Sequence, residues 1–191
     1  MIRVLLLALS LVACSGSQTP SASQFIGSDM TDVTLSSDFL LPDHNGTPRK
    51  LADFHGKVVA LFFGYTHCPD VCPTTMTDLA GGLKLMGDSA KDVQVLFVSL
   101  DPERDSAEVL KKFVPSFNPT FLGLRGDLAQ TVKVTQDFKV YFAKQESKSK
   151  AGYTIDHTSG VYVFDKTGTL RVIMKAGQTP KDIAHDLGLL L

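Results

Sequence analysis

Two cysteines stand where a buried-strand pattern gives way to a helical one, and this placement constrains the fold more than any other feature. The run VVALFFGY at residues 58–65 is continuously apolar, which is typical of a strand covered on both faces. The segment GYTHCPDVCPTTM at 64–76 overlaps its end and places Cys68 and Cys72 four residues apart beside prolines. Apolar residues then recur at helical spacing. The cysteines therefore lie at a predicted strand-to-helix junction.

The rest of the chain alternates predicted strands and helices. The Asn45-Gly46 pair between apolar residues predicts a hairpin within 39–51. The charged, Ser-rich stretch 144–152 is predicted to be a surface loop. Further strands are predicted at 93–100, 121–124, 140–143, 161–164 and 170–174. Four helices are predicted: one that begins near Pro73, one that follows a cap at Asp105 or Ser106, one at 128–138 and one at 179–191. This order indicates an α/β domain with a mixed central sheet and flanking helices, and it resembles a thioredoxin-like fold with an added N-terminal hairpin.

The amino-terminal residues have the pattern of an export signal. A positive charge precedes an apolar run, and the run ends in Leu11-Val12-Ala13-Cys14, which resembles a bacterial lipobox. The resemblance implies cleavage before Cys14 and lipid on its sulfur; an ordinary signal or short anchor with an incidental cysteine is the alternative. We therefore expect a signal peptide at 1–13, the lipidated Cys14 with a flexible tether at 14–32, and the folded domain at 33–191.

Export sets the expected location and redox context of the domain. The sequence predicts a membrane-anchored lipoprotein whose domain lies in the periplasm or otherwise outside the cytoplasmic membrane. Outside the cytosol, paired thiols tend to become disulfides. If Cys14 is acylated, Cys68 and Cys72 are the two thiols that remain to pair within the chain.

Composition and charge exclude several classes of partner. The chain has 191 residues, with 19 Lys and Arg against 20 Asp and Glu, and a formal net charge of -1. No long basic run is present, which argues against a nucleic-acid partner because phosphate neutralisation needs clustered cations. After the amino-terminal segment, no apolar stretch reaches the roughly 18 residues that a spanning helix needs.

The two thiols of Cys68 and Cys72 could close a structural disulfide, exchange a disulfide with a partner, or hold a soft metal ion. A disulfide at this spacing would close a very small loop, so it would constrain the unfolded chain little. A helix amino terminus stabilises the thiolate and so favours a reactive or metal-binding sulfur. Thiolates select Cu(I), zinc and iron–sulfur clusters over hard cations.

His157 is the candidate third ligand among five histidines. It lies in GYTIDHTSGVYVF, just before a predicted strand, and in a thioredoxin-like fold that loop faces the thiol motif. Redox enzymes of this fold carry a cis-proline there, whereas this chain has no proline between Pro119 and Pro180. His67 is expected to diverge from the sulfurs, and His44 is expected to face solvent.

Three segments together carry a family resemblance. They are GYTHCPDVCPTTM, SLDPERDSAEVLKKF at 99–113 and YTIDHTSGVYVFDKTG around His157. With these segments the chain resembles the Sco/SenC family of copper-binding proteins, which serve cytochrome c oxidase assembly. The resemblance implies Cys68, Cys72 and His157 as ligands of one copper per chain, as Cu(I) or Cu(II). It also implies that Asp101 is an acidic residue beside the site.

Asp156 is a second candidate in the surroundings of the site, because a carboxylate next to His157 could orient the imidazole ring. A solvated loop carboxylate is the equal alternative.

The resemblance implies a metallochaperone that delivers copper to the cytochrome c oxidase copper centre. The alternative is an enzyme, a thiol–disulfide oxidoreductase with Cys68 and Cys72 as its redox-active pair, which keeps the cysteines of a copper acceptor reduced. The longer C-x-x-x-C spacing, the missing proline and the placed His157 favour metal binding. The expected partners are the copper-acceptor subunit of cytochrome c oxidase, a periplasmic thiol reductase or copper donor, and the membrane through the lipid anchor.

Overall fold

The computed structural model describes residues 24–35, 38–146 and 152–191. The predicted signal peptide, Cys14 and most of the predicted tether lie outside the described residues. The strands are β1 Ser28–Asp29, β2 Leu41–Pro42, β3 Pro48–Arg49, β4 Val58–Gly64, β5 Val93–Ser99, β6 Leu122–Leu124, β7 Phe142–Glu146, β8 Tyr153–His157, β9 Val161–Phe164 and β10 Leu170–Met174. The helices are α1 Val71–Met86, α2 Ala107–Phe113, α3 Leu128–Asp137 and α4 Pro180–Gly188.

A mixed six-stranded sheet forms the centre of the domain, in the order β1-β10-β9-β4-β5-β6. Strand β4 pairs in parallel with β5 and antiparallel with β9, so it lies in the middle of the sheet. All seven residues of β4 are buried, as its unbroken apolar run predicts. The predicted thioredoxin-like fold is confirmed, and the predicted hairpin is present as β2 and β3 with Gly46 at a φ of 85°.

Successive side chains of β4 point to opposite faces of the sheet and enter two separate cores. Val58, Ala60 and Phe62 pack in the core under α1 and α4. Val59, Leu61 and Phe63 pack in the opposite core, to which α3 contributes Val134 and, just after its end, Phe138. The sheet is therefore covered by helices on both faces, and its central strand is held in register on both sides.

Two glycines in α1 allow α4 to pack closely against it. A Cβ atom at Gly82 would lie 2.6 Å from the Cγ2 atom of Ile183, and one at Gly81 would lie 3.0 Å from the Cγ atom of Pro180. Glycine inside a helix lowers its intrinsic stability relative to alanine. The structure shows that the missing side chains make room for a neighbouring helix.

The structure corrects the prediction for residues 140–146, whereas residues 147–151 of the predicted loop lie outside the described residues. Instead of a strand at 140–143 followed directly by a loop, β7 pairs antiparallel with β8 and forms a two-stranded sheet of its own. Strand β7 reads FAKQE and is half-buried or exposed, so its polar residues resemble those of a loop. His157 is consequently the last residue of a strand and not part of a free loop.

The folded domain also begins earlier than the predicted boundary at residue 33. Strand β1 adds to the sheet edge by antiparallel pairing with β10. Just before it, the backbone N–H groups of Ile26 and Gly27 each donate to the buried carboxylate of Asp186 at 2.8 Å. The last residues of the predicted tether are therefore attached to α4.

His44 is buried and not exposed, against the prediction. The Nδ1 atom of its ring accepts a hydrogen bond from the backbone N–H of Gly123 at 3.0 Å, and the backbone N–H of His44 donates to the Gly123 carbonyl oxygen. It joins the added hairpin to the edge of the main sheet.

None of the helices in the described part of the chain has the length and apolar character needed to span a bilayer.

Candidate metal centre

The two cysteines lie where β4 ends and α1 begins. Helix α1 starts at Val71, before the predicted start near Pro73, and Cys72 therefore lies in its first turn. Cys72 is fully buried, Cys68 is half-buried, and both carry free thiols. The backbone N–H of Cys72 donates to the Cys68 sulfur at 3.4 Å, so the turn holds the two sulfurs on one side of the helix end.

His157 approaches the sulfurs from the end of β8. Its Nε2 atom lies 3.4 Å from the Cys72 sulfur, and its Nδ1 atom lies 2.9 Å from the carbonyl oxygen of Thr158. Because a carbonyl oxygen can only accept, Nδ1 carries the proton, and Nε2 is left with a lone pair toward the sulfurs. The rings of Phe62 and Tyr65 pack edge-on against the imidazole and limit its rotation.

The ligand atoms of Cys68, Cys72 and His157 all lie within 4.8 Å of one another. Two sulfurs and one imidazole nitrogen form a soft donor set that could hold one metal ion. The ring orientation fits this use, because a metal-binding histidine normally donates its other N–H to a carbonyl or carboxylate.

The two sulfurs differ in charge. Hydrogen bonding with the Cys72 thiol lowers the pKa of Cys68 to about 3 against the opposing effect of burial, and the backbone N–H groups of Asp70 and Cys72 lower this pKa further. The same bond and burial raise the pKa of Cys72. The negative charge of the pair is therefore favoured on Cys68, the more exposed of the two sulfurs.

Comparison with known proteins agrees with this geometry. The model of the SCO1/SenC family matches residues 28–191. The chain belongs to this family. It is 39% identical in sequence to ScoI of Bradyrhizobium japonicum, whose structure was solved with copper bound. The two structures superpose with a TM-score of 0.75, and the match covers 83% of this chain and 100% of that one.

Two protein relatives extend the SCO1/SenC comparison. The SCO2-like protein RP587 of Rickettsia prowazekii is 34% identical over 160 residues, which is 83% of this chain and 77% of that protein. The mitochondrial SCO2 homolog of Mus musculus is 35% identical over 134 residues, 69% of this chain and 52% of that protein. The chain thus matches only about half the length of the mouse relative.

Asp105 supports the loop before Cys68 in this SCO1/SenC chain. The sequence indicates it only as a possible helix cap. Ser106 caps α2, since its hydroxyl accepts from the Val109 N–H. The Asp105 carboxylate is fully buried and accepts from the hydroxyls of Thr66 and Ser99 at 2.6 Å each, and from the Thr66 N–H. Burial raises the pKa of Asp105. Parallel β4 and β5 end side by side, and this adjacency is the signal that could have placed Asp105 at the site.

The other two predicted acidic residues are placed differently. Asp101 is fully buried and accepts from the Arg104 side chain and, at 2.8 Å, from the Tyr153 hydroxyl. It therefore contacts the strand that carries His157. Asp156 is exposed, and its side chain points away from the face of β8 that His157 occupies. Thr158, rather than Asp156, therefore orients the imidazole.

Gly64, the last residue of β4, is a site residue that the sequence did not indicate. A Cβ atom there would lie 3.0 Å from the Cys72 sulfur and 2.9 Å from a ring carbon of Phe97. Because real Cβ contacts are longer than this, any side chain at residue 64 would displace the sulfur or the ring. The absence of a side chain lets Cys72 approach the strand closely.

Proposed function

We propose that this protein binds one copper ion per chain through Cys68, Cys72 and His157 and delivers it to the copper centre of cytochrome c oxidase. The observation that carries the proposal is the convergence of two sulfurs and one imidazole nitrogen within 4.8 Å. Two thiolates suit Cu(I), and the imidazole adds the nitrogen donor that Cu(II) prefers. The copper-bound relative from Bradyrhizobium japonicum supports the choice of metal. The half-buried Cys68 supports transfer, because it leaves the ion accessible from one side.

Copper titration tests this proposal directly. The purified, reduced protein should bind one Cu(I) per chain in competition with a chromogenic Cu(I) chelator, followed by metal analysis after desalting. The variant that combines Cys68→Ser, Cys72→Ser and His157→Ala should bind none. His55→Ala, which removes an exposed imidazole packed against Gly168, should leave the stoichiometry unchanged. A preference for zinc over Cu(I), or no copper above background, would contradict the proposal.

A second variant tests the geometry of the site without removing a ligand. Gly64→Ala should weaken Cu(I) binding by about tenfold, because the new methyl group displaces the Cys72 sulfur, and overpacking of this kind costs about 1–3 kcal/mol. Chelator competition measures the change. The matched control is Gly188→Ala at the end of α4, where a new Cβ meets no atom within 4 Å. Equal affinities for the two variants would show that the position of Cys72 does not limit binding.

Thiol–disulfide exchange is the second candidate function, and the state of Cys68 favours it. This sulfur is half-buried, and its pKa is lowered to about 3, so it is a thiolate at neutral pH. A thiolate is the attacking species in disulfide exchange. In this function Cys68 attacks a disulfide of a copper acceptor and Cys72 resolves the mixed disulfide, so that two electrons pass to the acceptor and Cys68–Cys72 becomes oxidised. A thiol reductase would then restore the pair.

The location of the protein follows from the proposal and from the amino-terminal sequence. We propose that the chain is exported and held at a membrane by lipid on Cys14. The Leu11–Cys14 pattern at the end of an apolar run supports this anchor. A copper-acceptor subunit of the oxidase and a copper donor or thiol reductase outside the cytoplasm are the partners that such a location requires.

A further inference from the structure

The strand that carries His157 lies outside the main sheet. Strands β7 and β8 pair with one another, from Phe142 opposite His157 to Glu146 opposite Tyr153. The Ile155 side chain at the middle of β8 is buried in the core. An isolated two-stranded hairpin has little stability of its own, so its contacts with the rest of the domain must fix its position. One group of polar contacts lies at Tyr153, four residues before His157.

Three side chains hold this part of β8 to the loop that follows β5. The buried carboxylate of Asp101 accepts from the Arg104 guanidinium and from the Tyr153 hydroxyl. The guanidinium also donates to the Tyr153 carbonyl oxygen at 3.0 Å, and its central carbon lies 3.5 Å from the centroid of the Tyr153 ring. We call Asp101, Arg104 and Tyr153 the clasp. Its planar guanidinium makes contacts that an ammonium group cannot reproduce together.

The clasp also touches the group that packs against His157. The guanidinium carbon of Arg104 lies 5.9 Å from the centroid of the Tyr65 ring. The Tyr65 ring in turn packs edge-on against the imidazole of His157, with centroids 6.0 Å apart. Arg104 therefore contacts both the strand that carries His157 and an aromatic wall of the imidazole.

A second ion pair near the clasp has a different character. Lys144 on β7 lies 2.6 Å from Glu103 and 4.6 Å from the Tyr153 ring centroid, but both charged side chains are about half exposed. Exposed pairs contribute little because water and salt screen them. The buried Asp101–Arg104 pair is therefore the stronger tie, and removing one partner would leave an uncompensated charge.

We infer that the clasp is a positioning element that directs the Nε2 atom of His157 toward the two sulfurs and so sets the geometry of Cu(II) binding. The inference rests on the proposed copper site. It assigns Arg104 and Tyr153 to that site without direct contact with the metal. Cu(I) depends mainly on the two sulfurs, so the clasp affects Cu(II) more than Cu(I).

Two conservative variants test the clasp in the purified protein. Arg104→Lys keeps the charge beside Asp101 but loses the planar contacts, and it should weaken Cu(II) binding by about tenfold, the low end of what loss of a contact around the ligands of a metal site costs. The thiolate-to-Cu(II) absorption band and the nitrogen hyperfine splitting should change, while Cu(I) affinity stays within about threefold. Tyr153→Phe removes only the hydroxyl donor to Asp101 and should have a smaller effect in the same direction. Tyr141→Phe, which removes an exposed hydroxyl beside the same hairpin, and Lys144→Met should match the parent.

A double-variant cycle shows whether the clasp acts through His157. Adding Arg104→Lys to His157→Ala should cause no further loss of Cu(II) affinity, because the positioned ligand is already absent. An equal loss with and without His157 would overturn the inference.

Hydrogen exchange of the metal-free protein separates the clasp from the copper proposal. Amide exchange in β7 and β8 should be faster in Arg104→Lys, while exchange in the main sheet stays at the parental rate. Unchanged exchange in the hairpin would overturn the clasp even if the parent binds copper as proposed. Faster exchange in Arg104→Lys, together with a parent protein that binds no copper, would refute the copper site and leave the clasp standing. If Arg104→Lys does not fold, the same measurements on Tyr153→Phe decide the question.

Discussion

A disulfide between Cys68 and Cys72 should abolish copper binding. The oxidised pair has no thiolate to donate, and a single imidazole is left from the proposed ligand set. The structure makes the reaction feasible, because the two sulfurs lie within 4.8 Å of one another and the more exposed sulfur carries the charge. The measurement is a Cu(I) titration of the purified protein after oxidation, with a free-thiol count to establish that the pair has reacted.

Reduction provides the control for this experiment. Treatment with a thiol reductant should restore one copper per chain, and the protein would need such a reductant in an oxidising compartment. A Cys68→Ser variant cannot form the disulfide, so the oxidant should leave whatever residual affinity it has unchanged. Full copper affinity in the oxidised parent would show that the sulfurs are not the ligands.

His157→Ala should separate the two candidate functions. Cu(II) affinity should fall by more than the roughly 10–100-fold that loss of an outer partner causes, because a direct ligand is removed. The charge-transfer absorption should change as well. Cu(I) affinity should fall less, since two thiolates can hold the ion alone. Reduction of a model disulfide should remain largely intact, because exchange requires two sulfurs and access but no imidazole.

His55→Ala is the control for this variant. The exposed His55 imidazole packs against Gly168 and lies outside the group formed by Cys68, Cys72 and His157, so its loss should leave Cu(II) spectra and affinity at parental values. If His157→Ala kept the parental Cu(II) affinity but lost most of its activity in reducing a model disulfide, the oxidoreductase function would be favoured over copper delivery.

The parts of the fold that follow from sequence are those with a strong local pattern. An unbroken apolar run predicted the buried central strand, the Asn45-Gly46 pair predicted the hairpin turn, and the helix predicted at 179–191 is present as α4 from Pro180. The position of the cysteines between a strand and a helix is local as well. Once the fold is inferred from these elements, the topology brings His157 to the sulfurs across a separation of 85 residues.

The missed features depend on contacts between distant segments. Arg104 and Tyr153 are 49 residues apart, and no periodicity in either segment indicates that one stacks on the other. Strand β7 has a polar sequence because it lies at the surface, so hydrophobic alternation could not identify it. His44 was expected in solvent because it sits beside a turn, but the hairpin folds back onto β6 and buries it.

The attachment of the amino-terminal segment to Asp186 determines when the domain can finish folding during synthesis. The acceptor of the Ile26 N–H lies 160 residues downstream, in the last helix. A ribosome makes the amino-terminal residues first, so this segment has no partner until α4 and β10 have been made. Loss of α4 would therefore remove the acceptor of the Ile26 and Gly27 N–H groups and leave the first strand held by its pairing with β10.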